Sequence, residues 1–312
     1  MAEKDSSASK MAENSSTDRR PATSADAELL RQPTYPHDDQ PLPPLRPLQP
    51  LPFDPLTRVY DMTGDKIMLI FGHSEYLETF SYRKYENGRP QSRNYTDRDV
   101  RRLEEVFSNE LGFLIDPHQD LTYDDIHETV KKLSKRDHRN TSCVCVVILT
   151  HGNTNGELLA ADQPYELESL VALLQKGNEW LVGKPKLFIV QACRGGDVDK
   201  GQLQFDGSGD YSFVSTHADT LVLRSSVEGF LSWRDEDGSW LIQELCRVVH
   251  ATQRQLDFLQ MTTMVTSLVV YDRASSTDDP EYDNTKQTPE VRSTLTKLLR
   301  FTAFVPHSGA VQ

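Results

Sequence analysis

The 312-residue chain has four cysteines, three tryptophans and only 34 basic residues against 47 acidic ones. Each shortage excludes something. A formal net charge of −13 leaves no basic footprint for a sequence-independent grip on nucleic acid or anionic lipid. No apolar run approaches the ~20 residues of a membrane-spanning helix, and the first few dozen residues hold no hydrophobic segment of the secretory kind. Cys143, Cys145, Cys193 and Cys246 lack the CxxC-like spacing of a zinc site. They also sit in a large chain, unlike the cysteine-dense frameworks of small secreted domains. These absences predict free thiols, a cytoplasmic setting, no metal, no cofactor and no nucleic-acid or membrane partner. Hydrophobic content of 37% is low for a globular domain and predicts that part of the chain does not fold.

That part is the start. Residues 1–40 are rich in Ser, Asp, Glu and Lys and cannot bury enough apolar surface to order themselves. Residues 41–55 (PLPPLRPLQPLPFDP) predict a polyproline spacer, with an SH3-type ligand around Arg46 as the alternative. We therefore read 1–57 as a disordered, Pro-rich leader and 58–312 as the folded domain. Within it, Lys66–Gly72, Phe113–Ile115, Cys143–Leu149, Lys186–Val190 and Thr220–Leu223 read as strands. Helices are predicted from Thr96 to about Leu111 and from Thr122 through Leu133, each opened by a capping-box-like acid. Further helices are predicted over Leu167–Leu174, over Trp240–His250 and from near Arg254. A last strand is placed at about Leu295–Phe304. The alternation β-α-β-α-β-α-β predicts an α/β fold with a mostly parallel central sheet. Residues 195–216, with five glycines and no apolar period, predict an exposed linker.

The chemistry gathers at two strand ends. Cys143–Leu149 runs into Thr150-His151-Gly152, and Lys186–Val190 runs into Gln191-Ala192-Cys193-Arg194-Gly195. Ligands of open α/β sheets bind outside the carboxyl ends of the strands. If the two strands are parallel neighbours, a thiol and an imidazole meet there as a nucleophile and a proton carrier. Either residue alone would more often be a buried core residue. The pair on successive strands favours a dyad. Cys143 and Cys145 fall on one strand face and read as buried structural thiols.

The pentapeptide Gln-Ala-Cys-Arg-Gly with a histidine ~50 residues upstream is an established caspase signature. Cys143–Gly152, Gly183–Gly195, Ser232-Trp233-Arg234 and Asp237-Gly238-Ser239-Trp240 extend the match, so residues 58–304 resemble the caspase family. The resemblance implies a three-layer fold with a six-stranded sheet, and peptide-bond hydrolysis through a thioester on Cys193 with His151 moving protons. It implies an oxyanion hole from the backbone amides of Gly152 and Cys193, and a Gln91 carbonyl orienting His151. It implies a pocket for an aspartate side chain built from Arg93, Gln191 and Arg234. Neighbouring subsites would involve Leu231, Trp233, Asp235 and Trp240, and Asp235 is expected to disfavour aspartate four positions before the cut.

Further implications concern maturation and partners. The chain resembles a zymogen of effector type, cut after Asp206 or Asp210 into a large subunit (about 58–206) and a small one (about 207–312), with Asp26 as a leader-removal site. Partners would be protein substrates carrying aspartate at the cleavage position, a second copy paired through the strand near 293–304, upstream family members and inhibitor-of-apoptosis proteins. The process implied is programmed cell death. A competing reading from another class is an inactive homologue that regulates its relatives by binding. A flavodoxin-like ligand binder fits the alternation of elements but has no glycine-rich loop after the first strand.

Overall fold

The central strands form because they offer apolar residues to both faces. In β3 (Thr141–Leu149) and β6 (Lys186–Gln191) every residue is buried. Continuous runs of this kind mark parallel strands covered on both sides. The computed structural model describes residues 57–80, 90–153, 156–176, 178–194 and 218–301. The leader up to residue 56, the whole 195–216 linker and the three candidate cleavage residues Asp26, Asp206 and Asp210 lie outside them.

The other main strands are β1 (Asp65–Gly72), β2 (Phe113–Gln119), β7 (Thr220–Arg224) and β10 (Glu290–Ser293). They assemble with β3 and β6 in the order β10-β7-β6-β3-β1-β2. Every neighbouring pair is parallel except β10 with β7. Two short hairpins add β4 (Leu158–Leu159) with β5 (Pro164–Tyr165), and β8 (Arg234–Asp235) with β9 (Gly238–Ser239).

Alternation along the strands divides the core in two. Met68, Ile70, Cys143, Cys145, Val147, Leu187, Ile189 and Leu223 face one layer. That layer holds α1 (Thr96–Leu103), α4 (Trp240–Thr252) and α5 (Phe258–Asp272). Ile67, Leu69, Val144, Val146, Ile148, Phe188 and Val190 face the other, built on α2 (Tyr123–Ser134) and α3 (Leu167–Lys176). The result is the expected three-layer, mostly parallel architecture. Cys143 and Cys145 are buried in one cluster, and none of the four cysteines forms a disulfide among the described residues.

Three expectations are corrected. The helix after Thr96 is α-helical only to Leu103 and continues as a π-helical turn, Glu104–Ser108. Its N-cap is Tyr95 in a left-handed conformation with no side-chain cap bond, so Asp99 does not close a capping box. The last strand is Glu290–Ser293 and not Leu295–Phe304. Leu299 and Phe301 owe their apolar character to core burial, the backbone of Leu298 ties to Arg58 and Tyr60, and 302–304 lie outside the described residues. The polar side chains of β10 have partners within the chain. Glu290 pairs with Arg194, and Arg292 lies 3.3 Å from Glu168. By contrast, Thr122 caps α2 as its sequence predicts, accepting from the Asp125 amide.

Ile189 is fully buried in the middle of β6. Ile189→Ala is expected to destabilise the domain by about 2–5 kcal/mol, read as a lowered urea midpoint with an unchanged slope.

Candidate active site

Strand register brings the two strand ends together. β3 and β6 pair with Leu149 opposite Gln191, and the Thr150 amide donates to the Gln191 carbonyl at 3.1 Å. Two residues further, His151 and Cys193 leave adjacent strands side by side. The backbones then close up: a Cβ on Gly152 would overlap the Cys193 carbonyl oxygen, so only glycine fits. Gly152 also bridges to Leu158. The amides of Gly152 and Cys193, expected to serve an oxyanion, therefore belong to two chain segments in direct contact.

His151 is held from three sides. Its Nε2 lies 3.0 Å from the Gln91 carbonyl. A carbonyl only accepts, so Nε2 carries the proton and Nδ1 of the neutral ring is the basic atom. The Tyr76 ring stacks on the imidazole at 5.6 Å, and the Tyr76 hydroxyl accepts from the His151 amide at 3.1 Å while meeting Thr150 Oγ1 at 2.9 Å. Burial, then the charges of Arg234 and Arg93, push the His151 pKa down to about 4. As pH falls from 6.5 towards about 4, the unfolded chain takes up a proton that the folded one refuses, so folding stability declines across that window.

The cysteine sits in a separate polar frame. The Ser232 amide donates to Cys193 Sγ at 3.3 Å, and Sγ lies 3.7 Å from the Ser232 carbonyl. Beneath it, Ser225 Oγ accepts from the Ala192 amide at 3.1 Å and meets Ser232 Oγ at 2.6 Å.

The arginines converge on the same place. Arg93 is 1% exposed; its Nη1 donates to Thr96 Oγ1 at 2.5 Å and its Nη2 to Ser239 Oγ at 2.9 Å. Burial depresses its pKa and Asp99 counters this; Ser239, which takes the Arg93 bond, pairs across the β8–β9 hairpin with Arg234, so both arginines meet at one residue. Gln191 is 3% exposed with its Oε1 unpaired among the described residues. Trp233 and Trp240 lie with ring centroids 6.1 Å apart and planes tilted by 31°, and Leu231 is half-buried. The Asp235 carboxylate receives Trp240 Nε1 at 3.2 Å, Gln243 Nε2 at 2.8 Å and Arg273 at 3.4 Å. Those donors offset part of the charge expected to repel an acidic side chain. A separate cavity of about 370 Å3, lined by Thr57, Arg139 and Lys184 among others, lies at the opposite ends of the strands.

Sequence reasoning passed over Tyr76, Ser225, Ser232 and Asp99. Tyr76 and Ser225 carry no motif that distinguishes them from ordinary residues, and Ser232 stood in the Ser232-Trp233-Arg234 match without a role of its own. Asp99 was visible but matched a helix-capping pattern.

An α/β sheet bearing a thiol and an imidazole on adjacent strand ends, beside two converging arginines, defines a cysteine-peptidase class of site. Comparison with known proteins gives the family: residues 65–300 match the model of the caspase domain, and the chain belongs to the caspase family. It is 35% identical over 232 residues to caspase drICE of Drosophila melanogaster, covering 71% of this chain and 68% of that one. It is 36% identical to caspase-3 of Oryctolagus cuniculus, covering 70% and 79%. The crystal structure of caspase-1 from Spodoptera frugiperda superposes with a TM-score of 0.71 at 31% identity, over 82% of this chain and 98% of that one. Among the described residues no helix is long and apolar enough to cross a membrane.

Cys143, Cys145 and Cys246 are buried, and burial raises all three pKa values, that of Cys143 to about 12. Native protein treated with iodoacetamide near neutral pH should therefore alkylate at Cys193 alone, read by peptide mass mapping. Comparable labelling of the other three would contradict the buried placement.

Proposed function

We propose that this caspase-family protein is an active, aspartate-specific cysteine endopeptidase. The observation that carries the reading is the convergence of Cys193, His151 and two arginines at one end of β3 and β6. Cys193 Sγ attacks the scissile carbonyl, and the oxyanion that forms is met by the amides of Gly152 and Cys193, each such donor being worth about 10²–10³ in rate. His151 Nδ1 takes the thiol proton and delivers it to the leaving amine, giving a thioester. Water, relieved of a proton by the same ring, then hydrolyses the thioester and frees the thiol.

Arg93, Arg234 and Gln191 bind the carboxylate on the acyl side of the bond. Desolvating a carboxylate requires paired, charge-assisted donors, which planar guanidinium groups supply. Leu231, Trp233 and Trp240 line the neighbouring subsites, with Asp235 at their edge. The protein is read as a cytoplasmic zymogen of programmed cell death, cut after Asp206 or Asp210 and paired as a dimer through β10, with upstream caspases and inhibitor-of-apoptosis proteins as partners. Asp26 is the leader-removal site. The inactive-homologue reading is disfavoured because the thiol, the imidazole and both arginines are present together.

A peptide library offered to the wild type and to Cys193→Ala tests the proposal. Cleavage after aspartate by the wild type, lost at least a thousandfold in the variant, is expected. Cleavage after another residue type, or none by a fully processed wild type, overturns it.

The arginine charges generate a second expectation. An aspartate bound between them cancels part of the field that holds the His151 pKa near 4. The acid limb of the kcat profile, which reports the bound enzyme, should then lie at higher pH than that of kcat/KM, which reports the free enzyme. Coincident limbs would argue that the substrate carboxylate does not reach the arginines.

A further inference from the structure

Asp99 occupies the first turn of α1, where an acid ordinarily serves the helix terminus. Here it serves something else. Its side chain is 0% exposed, and both oxygens are spent on groups outside the helix backbone. Oδ1 accepts from the Ser239 amide at 2.8 Å. Oδ2 accepts from Ser239 Oγ at 2.5 Å and lies 3.5 Å from Arg93 Nη2. Arg93 Nη2 donates in turn to Ser239 Oγ at 2.9 Å, which closes a triangle of carboxylate, hydroxyl and guanidinium.

Ser239 lies in β9, and its partner across the β8–β9 hairpin is Arg234. The same carboxylate therefore reaches one arginine directly and the other through a single strand pair. The turn is shaped around it: Gly238 has φ +114°, and a Cβ there would overlap Asp99 Oδ1. The buried Arg93 guanidinium and the half-buried Arg234 carry like charge, and an anion fixed behind them offsets it.

We propose that Asp99 is a positioning residue that holds Arg93, and Arg234 through Ser239, in the spacing that reads an acidic side chain. The inference rests on the assignment of those arginines to the acid pocket. Asp99 does not touch substrate; it fixes which side chains the pocket accepts.

The test uses the full chain after processing, with two fluorogenic tetrapeptides that differ only in ending on Asp or on Glu. Asp99→Asn keeps the shape and removes the charge. It should raise KM for the Asp peptide at least tenfold with kcat changed less than threefold, and should lower the Asp-over-Glu ratio of kcat/KM at least tenfold. Simple loss of folded enzyme lowers both peptides equally and leaves that ratio alone, so an unchanged ratio in folded Asp99→Asn overturns the proposal. If Asp99→Asn does not fold, Ser239→Ala replaces it, with at least a threefold fall in the ratio expected and an unchanged ratio overturning. Arg93→Lys separates the two levels of argument. A ratio that falls in Arg93→Lys but not in the Asp99 or Ser239 variant rejects the positioning role alone. A ratio unmoved in Arg93→Lys rejects the acid pocket itself.

Discussion

The register between β3 and β6 is the constraint on which the site depends. It is fixed by burial on both faces: slipping one strand by a single residue would turn every apolar side chain to the wrong layer. Because Leu149 is locked opposite Gln191, the next residues of each chain have no freedom to separate. Thr150 closes the sheet with a last backbone bond, Gly152 admits the Cys193 backbone, and the imidazole and thiol are delivered as neighbours. The core thus sets the reaction geometry to the precision of a strand pair, better than a loop could provide.

Electrostatics supply the second theme. The site gathers two guanidinium groups and an imidazole, and burial together with the arginine charges acts on the imidazole. The imidazole yields and stays neutral. Arg93 remains paired to Asp99, Thr96 and Ser239. In the proposed reading, an acidic side chain of the substrate would meet the arginines from the open side of the site. Asp235 shows the opposite arrangement: its carboxylate is already shared among Trp240, Gln243 and Arg273, so it contributes rigidity to the β8–β9 region.

What was legible in the sequence followed from how strongly burial writes itself into residue choice. β3 and β6 carry unbroken apolar runs, Cys143–Leu149 and Leu187–Val190, and their positions, their parallel pairing and the residues at their ends could be read directly. β10 could not, because Glu290-Val291-Arg292-Ser293 is a half-exposed edge with one apolar residue, while the nearby Leu295, Leu298 and Leu299 imitate a strand. The hairpin carrying Arg234 consists of two-residue strands, too short for any period to show. The π-helical turn after Leu103 leaves the apolar spacing nearly intact and so has no signature. Asp99 failed for another reason: the local pattern supported a capping role, and only the distant Ser239 reveals where its oxygens go.

The pairing of β6 with β7 has a consequence for chain continuity. Five residue pairs, from Lys186 with Thr220 to Val190 with Arg224, join the portion before residue 195 to the portion after 217 in the interior of one sheet. The Ala192–Ser225 and Asp99–Ser239 bonds add polar stitches between the same two portions. Scission of the peptide bond anywhere between them would leave two polypeptides in one particle, held by a shared hydrophobic interior. The frame around Cys193 would outlast the cut, because neither half can leave without opening the sheet.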